Sequence, residues 1–127
     1  MEVKSRRGDG ALQCRIQIGP HAIVSDAPRT SGGEETGPEP HDLLAAALAA
    51  CTSLTVTIYA RRKSMDLQDI EVSIQHGQRG DTYELVRNIH YIGNLSAEER
   101  QRLTDIANKC PVHKTLSGQI QIVTEAH

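Results

Sequence analysis

The chain has 127 residues, with 14 Lys and Arg against 16 Asp and Glu, a formal net charge of -2 and a pI near 6.3. That balance gives no electrostatic reason to expect nucleic acid or an anionic membrane as a partner, and with no Trp, no Phe and three Tyr there is no platform for stacking bases and the core must be aliphatic. The length suits a single domain over residues 1–127 acting on a small substrate.

The first 26 residues hold short β-like runs, Ala11 to Ile18 and His21 to Ser25, split by the turn pair Gly19-Pro20, and are expected to form an antiparallel meander. A Gly-, Pro- and Glu-rich loop from Ala27 to Pro40 follows, long enough to serve as a wall of a site. Pro40 and Asp42 suit the first turn of a helix, and Arg61, Arg62 and Lys63 suit its C-terminal end. Alternation predicts a half-buried strand over Ile70 to His76, a turn over Gly77 to Asp81 and a returning strand from Tyr83 to Ile92. Ser96-Ala97-Glu98-Glu99 is a capping box that starts a second helix, carrying Leu103 and Ile106 inward up to about Lys109. Pro111 forces Cys110 out of the helical region, so Cys110 is expected to cap a short third helix from Pro111 to Leu116. After Ser117-Gly118, the run Ile120 to Thr124 predicts a closing strand. The resulting order βββ-α-ββ-α-α-β is α+β.

The segment Leu43 to Ala60 is 18 residues without a charge. Its content of Ala and Thr argues against a membrane span. A helix apolar on all sides is otherwise buried, and a chain of this size can hardly surround one, which predicts a homodimer whose two central helices cover each other. No apolar leader follows Met1, so the chain reads as cytoplasmic. An odd three cysteines in such a protein suit a reactive or transient pair better than a permanent disulfide framework.

Cys110 has the clearer physical case for reactivity, because a thiolate at a helix start faces free N–H groups that can lower its pKa, and His113 and Lys114 share that turn. The alternative is a buried Cys that only caps. Cys51 shares a helical stripe with Leu44, Leu48, Thr55 and Ile58 and reads from its residues first as a core cysteine, with burial raising its pKa; a functional role there requires a cation, for which Arg6, Arg7 and Arg29 are the candidates. Cys51, Cys110, His113 and His41 match no familiar spacing of metal ligands, so neither a metal nor another cofactor is expected. Nothing marks the base and oxyanion hole of a Cys–His hydrolase, and Cys14 is assigned to packing.

The run Gly37-Pro38-Glu39-Pro40-His41-Asp42-Leu43-Leu44-Ala45-Ala46-Ala47-Leu48-Ala49-Ala50-Cys51-Thr52 and the later Cys110-Pro111-Val112-His113-Lys114-Thr115-Leu116 together resemble the two signature segments of the OsmC/Ohr family, the osmotically inducible and organic-hydroperoxide-resistance proteins. The likeness extends to Asp26-Ala27-Pro28, Gly32-Gly33 and Gly93-x-Leu95. It implies an intertwined homodimer of long central helices wrapped by sheets, with active sites between subunits. It further implies Cys51 as peroxidatic thiol and Cys110 as resolving thiol in the reduction of organic hydroperoxides, with a dithiol reductant restoring the pair. A disulfide between them requires Cα atoms within about 7 Å. Peroxidases of the family carry a Glu ten residues before the peroxidatic Cys, paired with an Arg; here that position is His41, with Asp42, Glu39 and Glu35 nearby, and Arg7, or else Arg6, matches the Arg. His41 is either a solvent-facing first-turn residue or part of the site, and His113 is expected to support the short helix rather than act as a base. The alternative to an enzyme is a protein of the same fold that senses redox state or binds a small ligand without turnover, and acyl transfer or hydrolysis at Cys51 is a more distant third.

Overall fold

Short strands separated by tight turns build the N-terminal sheet. β1 (Val3–Arg7), β2 (Cys14–Ile18) and β3 (His21–Ser25) pair antiparallel in that order, with Arg7 opposite Cys14 and Cys14 opposite Ser25. β2 alternates half-buried Cys14, Ile16 and Ile18 with exposed Arg15 and Gln17, as a strand with one solvated face must. The computed structural model describes residues 1–127 and divides into two compact units, Met1–Leu44 and Ala45–His127.

The long loop of the first unit is ordered by one carboxylate. Asp26, 5% exposed, accepts from the Ala27 N–H at 2.7 Å, from the Thr36 hydroxyl at 2.6 Å and N–H at 3.2 Å, and from the Glu34 N–H at 3.4 Å. The Thr36 hydroxyl is the main reason that the Asp26 pKa falls below the usual 3.8, the backbone bonds adding to it against burial. Because the folded-state value is depressed, this contribution is complete above the ordinary pKa and is lost as pH falls through the folded one. Gly33 is obligatory in this turn, since a Cβ there would lie 2.0 Å from the Ala27 carbonyl oxygen.

Helix α1 (Pro40–Arg62) begins at the proline and ends on the arginines that the sequence marks, and the division between the units falls within it. In the second unit, β4 (Leu67–Arg79) and β5 (Thr82–Gly93) form a long antiparallel hairpin. Both strands outrun the predicted Ile70–His76 and Tyr83–Ile92. The turn shrinks from five residues to two, Gly80 and Asp81, with Gly80 at φ +58 supplying the positive φ that a two-residue hairpin demands at its first central position. Helix α2 (Ala97–Ala107) carries the full capping box, Ser96 Oγ accepting from the Glu99 N–H at 3.1 Å and Glu99 Oε1 from the Ser96 N–H at 2.9 Å. It ends at Ala107, two residues short of Lys109, with Asn108 as its C-cap. Helix α3 (Pro111–Ser117) follows, with Cys110 as its extended N-cap at φ -64, ψ 143.

The fold is α+β, but the closing strand at Ile120 to Thr124 does not form: Ile120, Ile122 and Val123 are 61%, 84% and 77% exposed. Alternation gives a segment strand propensity, whereas a strand exists only where it pairs with a neighbour, and Ile120 to Thr124 pairs with neither sheet of the single chain.

The core of the second unit is aliphatic with one aromatic, Val56, Ala60, Tyr91, Leu103 and Ala107, ringed by Tyr59, Met65, Leu67, Ile70, Ile89 and Leu95. On α1 the buried residues fall at near four-residue spacing, Ala45, Leu48, Thr52, Val56 and Ala60, while Leu54 and Ile58 on the other side are 63% and 50% exposed. The mean hydropathy of 1.8 and the length of α1 would also fit a membrane span, yet Thr52, Val56 and Ala60 are enclosed by protein at 1% exposure or less.

Candidate active site

Two sulfurs separated by 59 sequence positions meet at the first turn of α3. Cys110 is fully buried, and its Sγ accepts from the His113 N–H at 3.3 Å. The Val112 N–H, one residue earlier, points to Cys51 Sγ at 3.5 Å. Pro111 makes this possible, since it holds Cys110 extended as the cap and has no N–H of its own, so the first donors of the helix are those of Val112 and His113. Cys51 is half-buried on α1, with Thr55 Oγ1 one turn on at 3.9 Å. All three cysteines are free thiols.

Burial pushes the Cys51 thiol up, but the Val112 N–H, the Thr55 hydroxyl and the Cys110 thiol together draw it below the ordinary 9.0. This corrects the expectation that a functional Cys51 requires a cation: tertiary packing lends it the amide of a different helix. The consequence is measurable. Alkylation of Cys51 by iodoacetamide, followed by peptide mass against pH, is expected to reach half its limiting rate below pH 9.0, the thiolate fraction rising as pH rises through the lowered value; a midpoint at or above 9.0 would mean that burial wins.

The other residues singled out by the sequence are spread over both units. Arg6 and Arg7 are exposed on β1, where Arg7 Nη2 donates to the Ala11 carbonyl at 3.1 Å, and Arg29 pairs with Glu35 at 3.4 Å. His41 is exposed in the first turn of α1. Asp42 Oδ2 accepts from the N–H of exposed Glu39 at 3.0 Å, so this carboxylate caps the helix start. His113 serves α3 through its N–H on Cys110, and its side chain helps line a cavity of about 350 Å³ together with Leu48, Tyr83, Leu85, Arg87 and Leu116. Cys14 is half-buried in β2 with its S–H on the Leu12 carbonyl at 3.8 Å.

Two residues that the sequence reading passed over stand next to Cys110. Thr52 is fully buried, its Oγ1 3.9 Å from Cys110 Sγ. Arg87 of β5 donates to Thr52 Oγ1 at 2.9 Å, to the Ala107 carbonyl at 3.3 Å and to Asn108 Oδ1 at 2.8 Å, so all three bonds go to neutral oxygens.

The sequence profile of one family, described as OsmC-like protein, matches residues 32–125 and so takes in the Pro40 helix, Cys51 and Cys110-Pro111. The chain belongs to the OsmC family. Among curated proteins, none matches it significantly in sequence. The OsmC fold recurs in solved structures of similar length. The OsmC-like protein of Mycoplasma pneumoniae superposes with a TM-score of 0.75 at 21% identity, covering 92% of this chain and 86% of that one. The organic hydroperoxide resistance protein OsmC of Legionella pneumophila gives 0.64 at 25% identity, covering 92% and 88%. The organic hydroperoxide resistance protein OhrB of Bacillus subtilis gives 0.63 at 22% identity, covering 92% and 90%.

Proposed function

We propose that this OsmC-family protein reduces organic hydroperoxides with the Cys51–Cys110 pair. The observation that carries the proposal is the pair of consecutive amides, Val112 on Cys51 and His113 on Cys110, which hold two free thiols at one helix turn; the organic hydroperoxide resistance proteins of Legionella and Bacillus that share the fold give it chemical direction.

Cys51, half-exposed and with a lowered pKa, is the sulfur that meets substrate. Its thiolate attacks the distal oxygen of the hydroperoxide, the O–O bond breaks, and the sulfur gives up two electrons; the alkoxide leaves and is protonated to the alcohol, and Cys51 becomes a sulfenic acid. The Cys110 sulfur then attacks Cys51 Sγ, hydroxide departs and takes up the thiol proton as water, and a disulfide forms. A dithiol reductant returns both sulfurs to thiols and is itself oxidised to a disulfide. Cys110, sealed from solvent, is suited to resolve rather than to meet peroxide.

Leu48, Leu85 and Leu116 in the neighbouring cavity favour a substrate with an organic substituent over a small polar peroxide. The exposed Leu54 and Ile58 of α1 support a homodimer in which a second copy covers them, and the free thiols suit a reducing, cytoplasmic setting. One observation favours a redox sensor instead: His41 occupies the position where the family's peroxidases carry Glu, and an imidazole cannot hold an arginine as a carboxylate does.

Turnover separates the two. Wild-type protein with a dithiol such as dihydrolipoamide is expected to consume cumene hydroperoxide catalytically and faster than hydrogen peroxide. Consumption that stops at one peroxide per Cys51 would make the protein a sensor.

A further inference from the structure

We propose that Thr52 and Arg87 form a proton-positioning pair for Cys110 that stabilises its thiolate as it leaves when a dithiol reopens the Cys51–Cys110 disulfide; this rests on the peroxidase reading for the disulfide alone, not for the peroxide step.

The hydrogen-bond arithmetic of Thr52 leads there. A threonine hydroxyl has one hydrogen and two lone pairs. In the resting protein the hydrogen goes to the Leu48 carbonyl at 2.7 Å, and the oxygen accepts from Arg87 Nη1 at 2.9 Å. With Cys110 Sγ at 3.9 Å, the hydroxyl has only a lone pair left to offer, which the single S–H of a protonated Cys110 takes up while Cys51 is a neutral thiol, turning to Cys51 Sγ once that sulfur is a thiolate. Once Cys110 carries a negative charge, the same hydroxyl can swing its hydrogen from Leu48 to the sulfur. The cost is small, because the Leu48 carbonyl lies within α1 and keeps a helical N–H partner four residues on.

Arg87 makes that swing productive. It pins the Thr52 oxygen in place, and its guanidinium is fixed from the far side by Asn108 Oδ1 and the Ala107 carbonyl at the C-terminal end of α2. None of its partners is a carboxylate, so the positive charge is not neutralised locally and remains to polarise the Thr52 hydroxyl toward an anionic sulfur. Arg87 thus acts on the sulfur through Thr52, as a positioning residue, and its own bonds go to Thr52, Ala107 and Asn108.

Burial decides which sulfur leaves. Cys51 is half-exposed and Cys110 is fully buried, so one thiolate of the dithiol attacks Cys51 Sγ. The Cys51–Cys110 bond breaks, its electron pair goes to Cys110 Sγ, and a mixed disulfide forms between Cys51 and the reductant. The second thiolate of the reductant then displaces Cys51. Two electrons and two protons pass from the dithiol, leaving both cysteines as thiols and the reductant as a disulfide. Better stabilisation of the leaving thiolate speeds the first of these steps.

The experiment forms the disulfide with diamide, without any peroxide, and follows its reduction by dithiothreitol in the wild type and in Thr52→Val, Thr52→Ser, Arg87→Met and Arg87→Lys. Thr52→Val and Arg87→Met are expected to be reduced about three- to tenfold more slowly, as a leaving-group effect of this kind implies, and Thr52→Ser to restore the wild-type rate. Alkylation of reduced Cys51 by iodoacetamide should stay within about twofold, since neither side chain donates to that sulfur, and Arg87→Lys, which keeps charge but loses the fork, should fall between Met and wild type. Equal reduction rates in all five proteins would overturn the proposal, as would slow reduction in Thr52→Ser matching that in Thr52→Val, or failure of diamide to link Cys51 to Cys110. A wild type inert to hydroperoxides whose variants still show the ordered reduction rates would remove the peroxidase reading and support the pair.

Discussion

Cys51→Ser is expected to abolish hydroperoxide turnover, lowering kcat/KM on the order of 10³-fold or more, the scale on which removal of a nucleophile acts. A serine hydroxyl placed below the Val112 N–H gains the same hydrogen bond but does not ionise near neutral pH and cannot accept an oxygen atom to form a sulfenic acid. Cys110→Ser should behave differently. Peroxide is still consumed once per Cys51, because that thiolate retains the Val112 N–H and Thr55 contacts, but no internal disulfide forms and Cys51 becomes open to over-oxidation. The two variants measured side by side, with single-turnover peroxide consumption and steady-state cycling as separate readouts, assign the roles. Equal loss of the first turnover in both would contradict the division into attacking and resolving thiols.

The second large effect is on stability. Leu103→Ala is expected to cost about 3 kcal/mol of unfolding free energy, within the range of about 2.7–5.0 seen for buried Leu-to-Ala changes. Leu103 is fully buried and lies between Val56 and Ala60 of α1, Tyr91 of β5 and Ala107 of its own helix. Its neighbours sit on three separate elements, so they cannot close on the void without moving an element, and the cavity penalty adds to the lost transfer free energy. Urea unfolding should show the midpoint fall with an unchanged slope. Gln101→Ala on the exposed side of the same helix should stay within about 0.5 kcal/mol. A loss below about 1 kcal/mol for Leu103→Ala would mean that α2 is not a core element of the unit.

The parts of the fold set by local chemistry were legible from the residues. Pro40 begins α1, the Ser96–Glu99 box begins α2, and Cys110-Pro111 begins α3, because a cap or a fixed φ acts within one turn. What failed depended on partners distant in the chain. Ile120 to Thr124 alternates like a strand but pairs with no other strand of the chain. The sequence ranked Cys110 above Cys51 for access to helix amides, and nothing along the chain shows that Val112 is aimed at a sulfur on another helix.

Arg87 was missed although a signal existed. A period of two puts Leu85, Arg87, Ile89 and Tyr91 on one face of β5, and Tyr91 and Ile89 belong to the core; a charge in an inward register calls for a buried role. Thr52 gave the same hint as a hydroxyl in line with Leu48, Val56 and Ala60. The two polar residues on apolar faces touch each other at 2.9 Å.

Intact mass and peptide mapping after one equivalent of cumene hydroperoxide test the central claim most directly. A loss of about 2 Da, carried by a linked pair of peptides containing Cys51 and Cys110, is the predicted result. A stable gain of about 16 or 32 Da on Cys51 with Cys110 still reduced, or a link through Cys14, would show that the two sulfurs at the α3 turn do not work as a pair.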